Sequence, residues 1–266
     1  MDVHAHLTHE KFQGSEELVH QKCAQVGVEY VILNGLEPVS NRQVLALSEK
    51  FPRYLPALGV YPLDAAAAVV RQHWEGIEFP PPDVFDVDQE LEFIEQMAVE
   101  KRLVALGECG LDRHYVREEE VMREQERVLR RLMGIAKQHD LPIILHSRKA
   151  EARVFEMLQD EGVEKALFHC FMGKVKLGKR ISTAGYSLSI PPAIARIESF
   201  RHLVKAVPLT SLLTETDSPY MGAEKATTND PSEVCKVIGH IADVKGLPEE
   251  EVAAQIRQNC RELFRI

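Results

Sequence analysis

Eight short apolar, β-rich runs punctuate this chain, and helical patterns fill the spaces between them. The runs are Val3–Leu7, Tyr30–Leu33, Leu55–Tyr61, Leu103–Leu106, Pro142–His146, Ala166–Phe171, Tyr186–Ile190 and Leu212–Glu215. Strands that alternate with amphipathic helices read as βα units around a parallel sheet, and eight is the number that closes a barrel. With 266 residues, 45% of them hydrophobic, the chain can bury a large core, and one domain of this length is ordinary for an α/β barrel. The expected architecture is a TIM-like (β/α)8 barrel, one domain over residues 1–266. There is no internal repeat and no separable second domain.

Periodicity places the helices. Between Glu118 and His139, Val121, Val128, Leu129, Leu132, Ile135 and Ala136 fall on one stripe, with Gln125 as a polar interruption. The opposite face pairs Glu119 with Arg123 and Glu126 with Arg130, a solvated face carrying favourable four-residue spacings. Asp140-Leu-Pro ends that helix. Pro80-Pro81-Pro82 forbids regular structure, so residues 76–88 read as an exposed loop before a helix over Gln89–Lys101. Two final helices, Pro231–Lys245 and Pro248–Phe264, are expected against the barrel exterior.

Six side chains able to bind a metal sit at or just past the ends of these runs. They are His4 and His6 in DVHAHL, Glu108 in ALGECGLD, His146 in IILHSR, His169 in LFHCF and Asp217 in LTETDSP. Residues two apart on a strand point the same way, so His4 and His6 face one pocket. Taken singly, each residue has an ordinary reading as a core histidine or a turn carboxylate. Their joint placement is what matters, because barrel enzymes build their sites at strand ends. Four imidazoles and two carboxylates suit two divalent cations bridged by an acid, an arrangement that activates water for hydrolysis.

The formal charge of −9 opposes a broad basic clamp for nucleic acid. Two divalent cations among two carboxylates and four neutral imidazoles leave the pocket at about +2. Such a chain suits an anionic substrate gripped at one point, a chain end or a small ester, more than long duplex. The five cysteines are scattered and form no C-x-x-C pair, which points to free thiols in a reducing cytoplasm. No apolar stretch approaches the roughly 18 residues that cross a bilayer. A signal peptide is not expected, since Asp2, His4 and His6 fall where its apolar segment would begin. No membrane association and no obligate protein partner are inferred.

The motifs D-x-H-x-H-L at 2–7, G-E-C-G-L-D at 107–112, L-H-S-R at 145–148, F-H-C-F at 168–171 and T-E-T-D-S-P-Y at 214–220 resemble those of the TatD family of metal-dependent deoxyribonucleases, within the amidohydrolase-like barrels. Residues 184–229, with S-I-P-P and T-D-S-P-Y-M-G-A-E-K, further resemble the third TatD-domain type of animals. The resemblance implies a metallo-dependent hydrolase barrel that cleaves phosphodiester bonds in DNA from a 3′ end. It implies that His4 and His6 hold one cation and His146 and His169 the other. Glu108 would bridge them, and Asp217 would ligate the first cation and act as general base. Magnesium or manganese is the implied metal, with zinc an alternative because histidine favours it.

Arg148 and Arg113 are the candidates for non-scissile phosphate oxygens, where a planar guanidinium suits bidentate contact. His114 is a candidate donor to a substrate oxygen. Where family members carry His-Pro, this chain has Tyr61-Pro62; a tyrosine donates a hydrogen bond but cannot act as an imidazole ligand. The loop after Asp217 offers Lys225 in place of an arginine, and only Met1 precedes Asp2. Related barrels hydrolyse lactones, cyclic amides or phosphotriesters with a similar donor set, and a non-catalytic nucleic-acid-binding protein is a further alternative. Glu108, where those relatives place a carbamylated lysine, favours the TatD reading. His9, His20, His73, His139, His202 and His240 receive no role. Cys109 and Cys170 are expected to pack, and Tyr220 to pack or to stack on one base. Trp74 stands alone, without a ladder of aromatics for stacking bases.

Overall fold

The computed structural model describes residues 1–225 and 227–266. Among them lie eight strands: β1 Asp2–Ala5, β2 Val31–Asn34, β3 Tyr54–Leu58, β4 Ala105–Gly110, β5 Ile143–His146, β6 Ala166–Phe168, β7 Ser187–Ile190 and β8 Leu212–Thr214. Each pairs in parallel with the next in chain order. The segment after β8 returns to β1 and closes the ring. Asp217 N–H donates to the His4 carbonyl at 2.8 Å, and His6 N–H donates to the Ser218 carbonyl at 2.9 Å. This is the expected (β/α)8 barrel. All four residues of β1 are buried, as parallel strands covered on both faces require.

Three strand ends differ from the apolar runs by three residues or more, each for a local reason. β4 continues through Glu108 to Gly110 because its ladder carries on, with Cys109 opposite Leu145 and Gly110 opposite His146; the apolar run had ended at Leu106. β3 stops at Leu58, and Pro62 opens a short helix, Pro62–Ala65, at a position that needs no amide donor. β6 stops at Phe168 because Cys170 takes a positive φ of 44°, outside the extended region.

The helix Glu119–His139 buries the expected stripe together with Gln125, and ends where Asp140 turns left-handed. The helix Val87–Val99 begins two residues early, since the Asp86 side chain accepts from Gln89 N–H at 3.0 Å and caps it. The chain then closes with a short 3-10 turn, Pro231–Glu233, and the helices Val234–Lys245 and Glu249–Phe264.

Trp74 does not stand alone. It packs with Leu63, Ala66, Val70, Val116 and Val121, and its indole N–H donates to the Phe79 carbonyl at 2.7 Å. Edge-on contacts continue from Trp74 to Phe79 and from Phe79 to Tyr115, with ring centres 5.2 and 5.0 Å apart. The proline-rich loop folds back over the barrel rim, which residue spacing alone could not indicate.

Asn41, on the helix Pro38–Lys50, ties the end of β3 to Glu90 on the helix Val87–Val99. Its amide donates to the Gly59 carbonyl at 2.9 Å and to Glu90 Oε1 at 2.7 Å, and its carbonyl accepts from Gly59 N–H at 3.2 Å. Arg42 adds an ion pair to the buried Glu90. Asn41→Ala leaves both Gly59 backbone groups unpaired inside the protein, so urea unfolding should show a loss of about 3 kcal/mol. A loss below about 1 kcal/mol would mean that water or a shifted chain replaces these bonds.

Candidate metal centre

The six expected donors meet at the mouth of the barrel, around Glu108. This carboxylate lies inside β4, 3% exposed, and its two oxygens divide the histidines between them. Oε2 lies 3.4 Å from His4 Nε2 and 3.3 Å from His6 Nε2. Oε1 lies 2.8 Å from His146 Nδ1 and 3.1 Å from His169 Nε2. Asp217 completes the first side, with Oδ1 3.7 Å from His4 Nε2 and 3.6 Å from His6 Nε2. His4 Nε2 and His6 Nε2 are themselves 3.0 Å apart, and the His4 and His169 rings stack at 3.9 Å.

Hydrogen-bond partners decide which ring nitrogens face the pocket. His6 Nδ1 is 3.2 Å from the Asn34 carbonyl, which can only accept, so the proton sits on Nδ1 and the Nε2 lone pair turns inward. His169 faces Glu108 with Nε2, 3.1 Å from Oε1, while its Nδ1 lies toward Glu215 Oε2 at 3.5 Å, too far for a good hydrogen bond. His146 Nε2 is 2.9 Å from Asp112 Oδ2, which leaves Nδ1 on the Glu108 side.

Burial sets the charge states. Burial alone would raise the Glu108 carboxyl, but His169, His4 and the hydrogen bonds from His146 and His169 outweigh it, holding the group ionised well below the usual range. Burial, reinforced by the neighbouring His169, holds His4 neutral. Burial pushes the Asp217 carboxyl up to about 7 against the pull of His169 and His6.

Two sets of donor atoms are close enough to share an ion: His4, His6 and Asp217, and His4, Glu108 and His169. His146 lies outside both triads and joins the centre through Glu108. The donors present therefore fit divalent cations: imidazole nitrogens turned inward, with an ionised carboxylate between them.

The surrounding residues fall into two groups. Arg148 and Lys149 stand exposed just past β5, and Arg113 just past β4. Arg113 N–H donates to the Arg148 carbonyl at 3.0 Å, joining the two loops. The Arg148 guanidinium donates to the Tyr115 hydroxyl at 3.0 Å and lies over that ring. The His114 ring rests edge-on against Tyr115. Tyr61 packs its ring against His146, with its hydroxyl 3.5 Å from Asp112 Oδ2. Tyr220 is half-exposed and meets His9 edge-on. Lys225 is exposed; Ala226, in the same loop, lies outside the described residues.

Sequence reading missed several supporting residues. Asp2 accepts from the His4 N–H at 3.2 Å, from the Thr216 N–H at 2.9 Å and from the Thr216 hydroxyl at 2.5 Å, pinning β1 to the loop that carries Asp217. Asn229 donates to the Thr216 and Tyr220 carbonyls, both at 2.7 Å, and holds that loop from the other side. Glu215 is fully buried and takes the Ser189 hydroxyl at 2.6 Å. Asp112 and Gln125 are equally buried. Asp112 and Glu215 lay within the motifs already singled out, each two or four residues from a donor.

The family model for TatD related DNases matches residues 1–265 of this chain. The chain belongs to the TatD related DNase family. Deoxyribonuclease TATDN3 of Homo sapiens is 35% identical over 272 residues, covering 99% of this chain and 94% of that protein. The crystal structure of the TatD homologue YjjV from Escherichia coli superimposes with a TM-score of 0.85 at 28% identity, covering 100% of this chain and 97% of the other; YjjV is named a metal-dependent hydrolase. The 3′-5′ ssDNA/RNA exonuclease TatD of Dickeya dadantii is 26% identical, covering 99% of this chain and 97% of that protein. Tyr61 of the present chain turns its hydroxyl toward Asp112, the residue beside His146 Nε2. No helix among the described residues is long and apolar enough to cross a membrane.

Proposed function

We propose that this chain hydrolyses phosphodiester bonds at the 3′ end of DNA strands, using two divalent cations held by His4, His6, Asp217, Glu108, His146 and His169. One observation carries the reading: each Glu108 oxygen faces a different histidine pair, and Asp217 stands on the His4–His6 side only. Magnesium, manganese or zinc would supply Lewis-acid polarisation of the phosphoryl group and a lowered pKa for the attacking water. Asp217 Oδ1 receives the proton as the water oxygen bonds to phosphorus and the P–O3′ bond breaks, and the departing O3′ takes a proton from solvent to leave a 3′-hydroxyl. Arg148 and Arg113 grip non-bridging phosphate oxygens from the joined β4 and β5 loops, with His114 and Tyr61 completing that side of the mouth. One barrel domain over residues 1–266 performs the reaction. The free cysteines Cys23, Cys109, Cys170, Cys235 and Cys260 support a reducing, cytoplasmic setting.

The test is to incubate manganese-loaded protein with 3′-labelled single-stranded oligonucleotides and, in parallel, with a panel of lactones. Release of the label as a mononucleotide in the first cleavage, with no labelled fragment of greater length, is expected. Turnover of a lactone with intact DNA would overturn the reading. Metal removal gives an independent check. A cation present at 100 times its dissociation constant stabilises by about 2.7 kcal/mol, so a chelated sample should melt roughly 5–10 °C lower. An unchanged melting temperature would argue against a resident cation.

A further inference from the structure

Gln125 interrupts the apolar stripe of the helix Glu119–His139 and is nonetheless fully buried. A buried amide is costly unless both ends are hydrogen-bonded, and here both ends go to one residue. Oε1 accepts the Asp112 N–H at 2.9 Å, and Nε2 donates to the Asp112 carbonyl at 3.3 Å. Asp112 is itself fully buried, and its carboxylate is engaged on both oxygens. Oδ1 accepts the His114 N–H at 2.7 Å, and Oδ2 lies 2.9 Å from His146 Nε2. Beyond His146, Nδ1 lies 2.8 Å from Glu108 Oε1. A single line of contacts thus runs from the helix, through the loop after β4, to the carboxylate at the centre.

We propose that Gln125 is a positioning residue: by gripping the Asp112 backbone at both its amide and its carbonyl, it aims the Asp112 carboxylate at His146 and so fixes which nitrogen of His146 serves the metal centre. This rests on the reading of His146 as a cation ligand. With a cation on the Nδ1 side, beside Glu108, the proton of a neutral His146 sits on Nε2, where the Asp112 carboxylate accepts it. If Asp112 rotates or slides, the proton can sit on either nitrogen, and the ring loses the contact that holds its plane. A methionine at 125 would fill the same space in the helix stripe. Packing does not call for an amide there, whereas the two hydrogen bonds do.

The experiment measures manganese affinity by competition with a fluorescent chelator, well below the melting temperature and without nucleic acid, so its outcome does not depend on the nuclease reading. Gln125→Met should weaken manganese binding 10- to 100-fold. At saturating manganese, the KM for an oligonucleotide should stay within about twofold while kcat falls. If Gln125 were only a strut in the core, Gln125→Met would melt earlier yet bind manganese as the wild type does, and that result would overturn the proposal. Should Gln125→Met fail to fold, Asp112→Asn decides, because it keeps both bonds from Gln125 to the backbone and removes only the charged acceptor for Nε2. A 10-fold or greater loss of manganese affinity in Asp112→Asn supports the relay, and wild-type affinity ends it.

Discussion

Asp217→Asn is expected to lower kcat on an oligonucleotide about 10³-fold with a nearly unchanged fold. The loss combines removal of the proton acceptor, which general-base catalysis values at roughly 10²- to 10⁴-fold, with weaker holding of the cation beside His4 and His6. The backbone at 217 has a φ of 52°, and asparagine tolerates that left-handed region as well as aspartate does. Stability supplies a second signature. Burial raises the Asp217 carboxyl from 3.8 to about 7, so the folded chain holds this proton more tightly than the unfolded one. Metal-free wild type therefore loses stability as pH rises from about 4 to about 7, and stays at the lower level above that. Asparagine carries no such penalty. At pH 8, metal-free Asp217→Asn should melt above metal-free wild type, by on the order of 2 kcal/mol. Saturating metal should reverse the order, since the carboxylate then has a cation to face. Calorimetry of the four samples checks this, and a variant that melts lower with and without metal would contradict the burial argument.

Gly110→Ala should be the most damaging single methyl group that can be added near the site. Gly110 has a φ of +146°, and a Cβ there would lie 1.9 Å from the His146 carbonyl oxygen. That oxygen belongs to the β4–β5 ladder, where Gly110 stands opposite His146 and the carbonyl accepts from Leu111 N–H at 3.1 Å. Backbone cannot rotate away as a side chain can, so the two strands must part. A loss of about 4 kcal/mol or more is expected, a large share of the stability of an ordinary domain. Whatever folds should also bind metal poorly, because His146 moves with its strand. Gly14→Ala separates steric clash from backbone preference. Gly14 has a φ of +78° with open space around its Cβ position, so it should cost only about 1 kcal/mol. Equal losses at the two positions would show that the β4–β5 approach tolerates a methyl group.

Much of this molecule was legible along the chain, and the parts that were not share a cause. All eight strands and the long helix after Glu118 follow from hydrophobic period, a property of near neighbours. The six donors were visible because each sits where an apolar run ends. Strand limits were less legible, since pairing carries β4 through polar Glu108 to Gly110. Trp74 was misread because its partners Phe79 and Tyr115 come from two loops that meet only at the rim. Gln125 was visible as an oddity in a helix stripe, but its partner Asp112 lies 13 residues away, beyond the reach of any periodic pattern.

Residue order by itself determined the class of fold, the placement of four imidazoles and two carboxylates at strand ends, and membership of a family whose motifs span the barrel. These are encoded by local period and by short motifs, so they survive without coordinates. Only the tertiary structure decided that Glu108 gives one oxygen to each histidine pair, which ring nitrogen of His6, His146 and His169 turns inward, and that Asp2, Asp112, Glu215 and Gln125 hold the rest in place. Those outcomes depend on hydrogen bonds between elements brought together by barrel closure, such as the 2.9 Å bond between Thr216 and Asp2 at opposite ends of the barrel sequence. The direction of a lone pair is set by what lies across the pocket, and the chain order does not contain that distance.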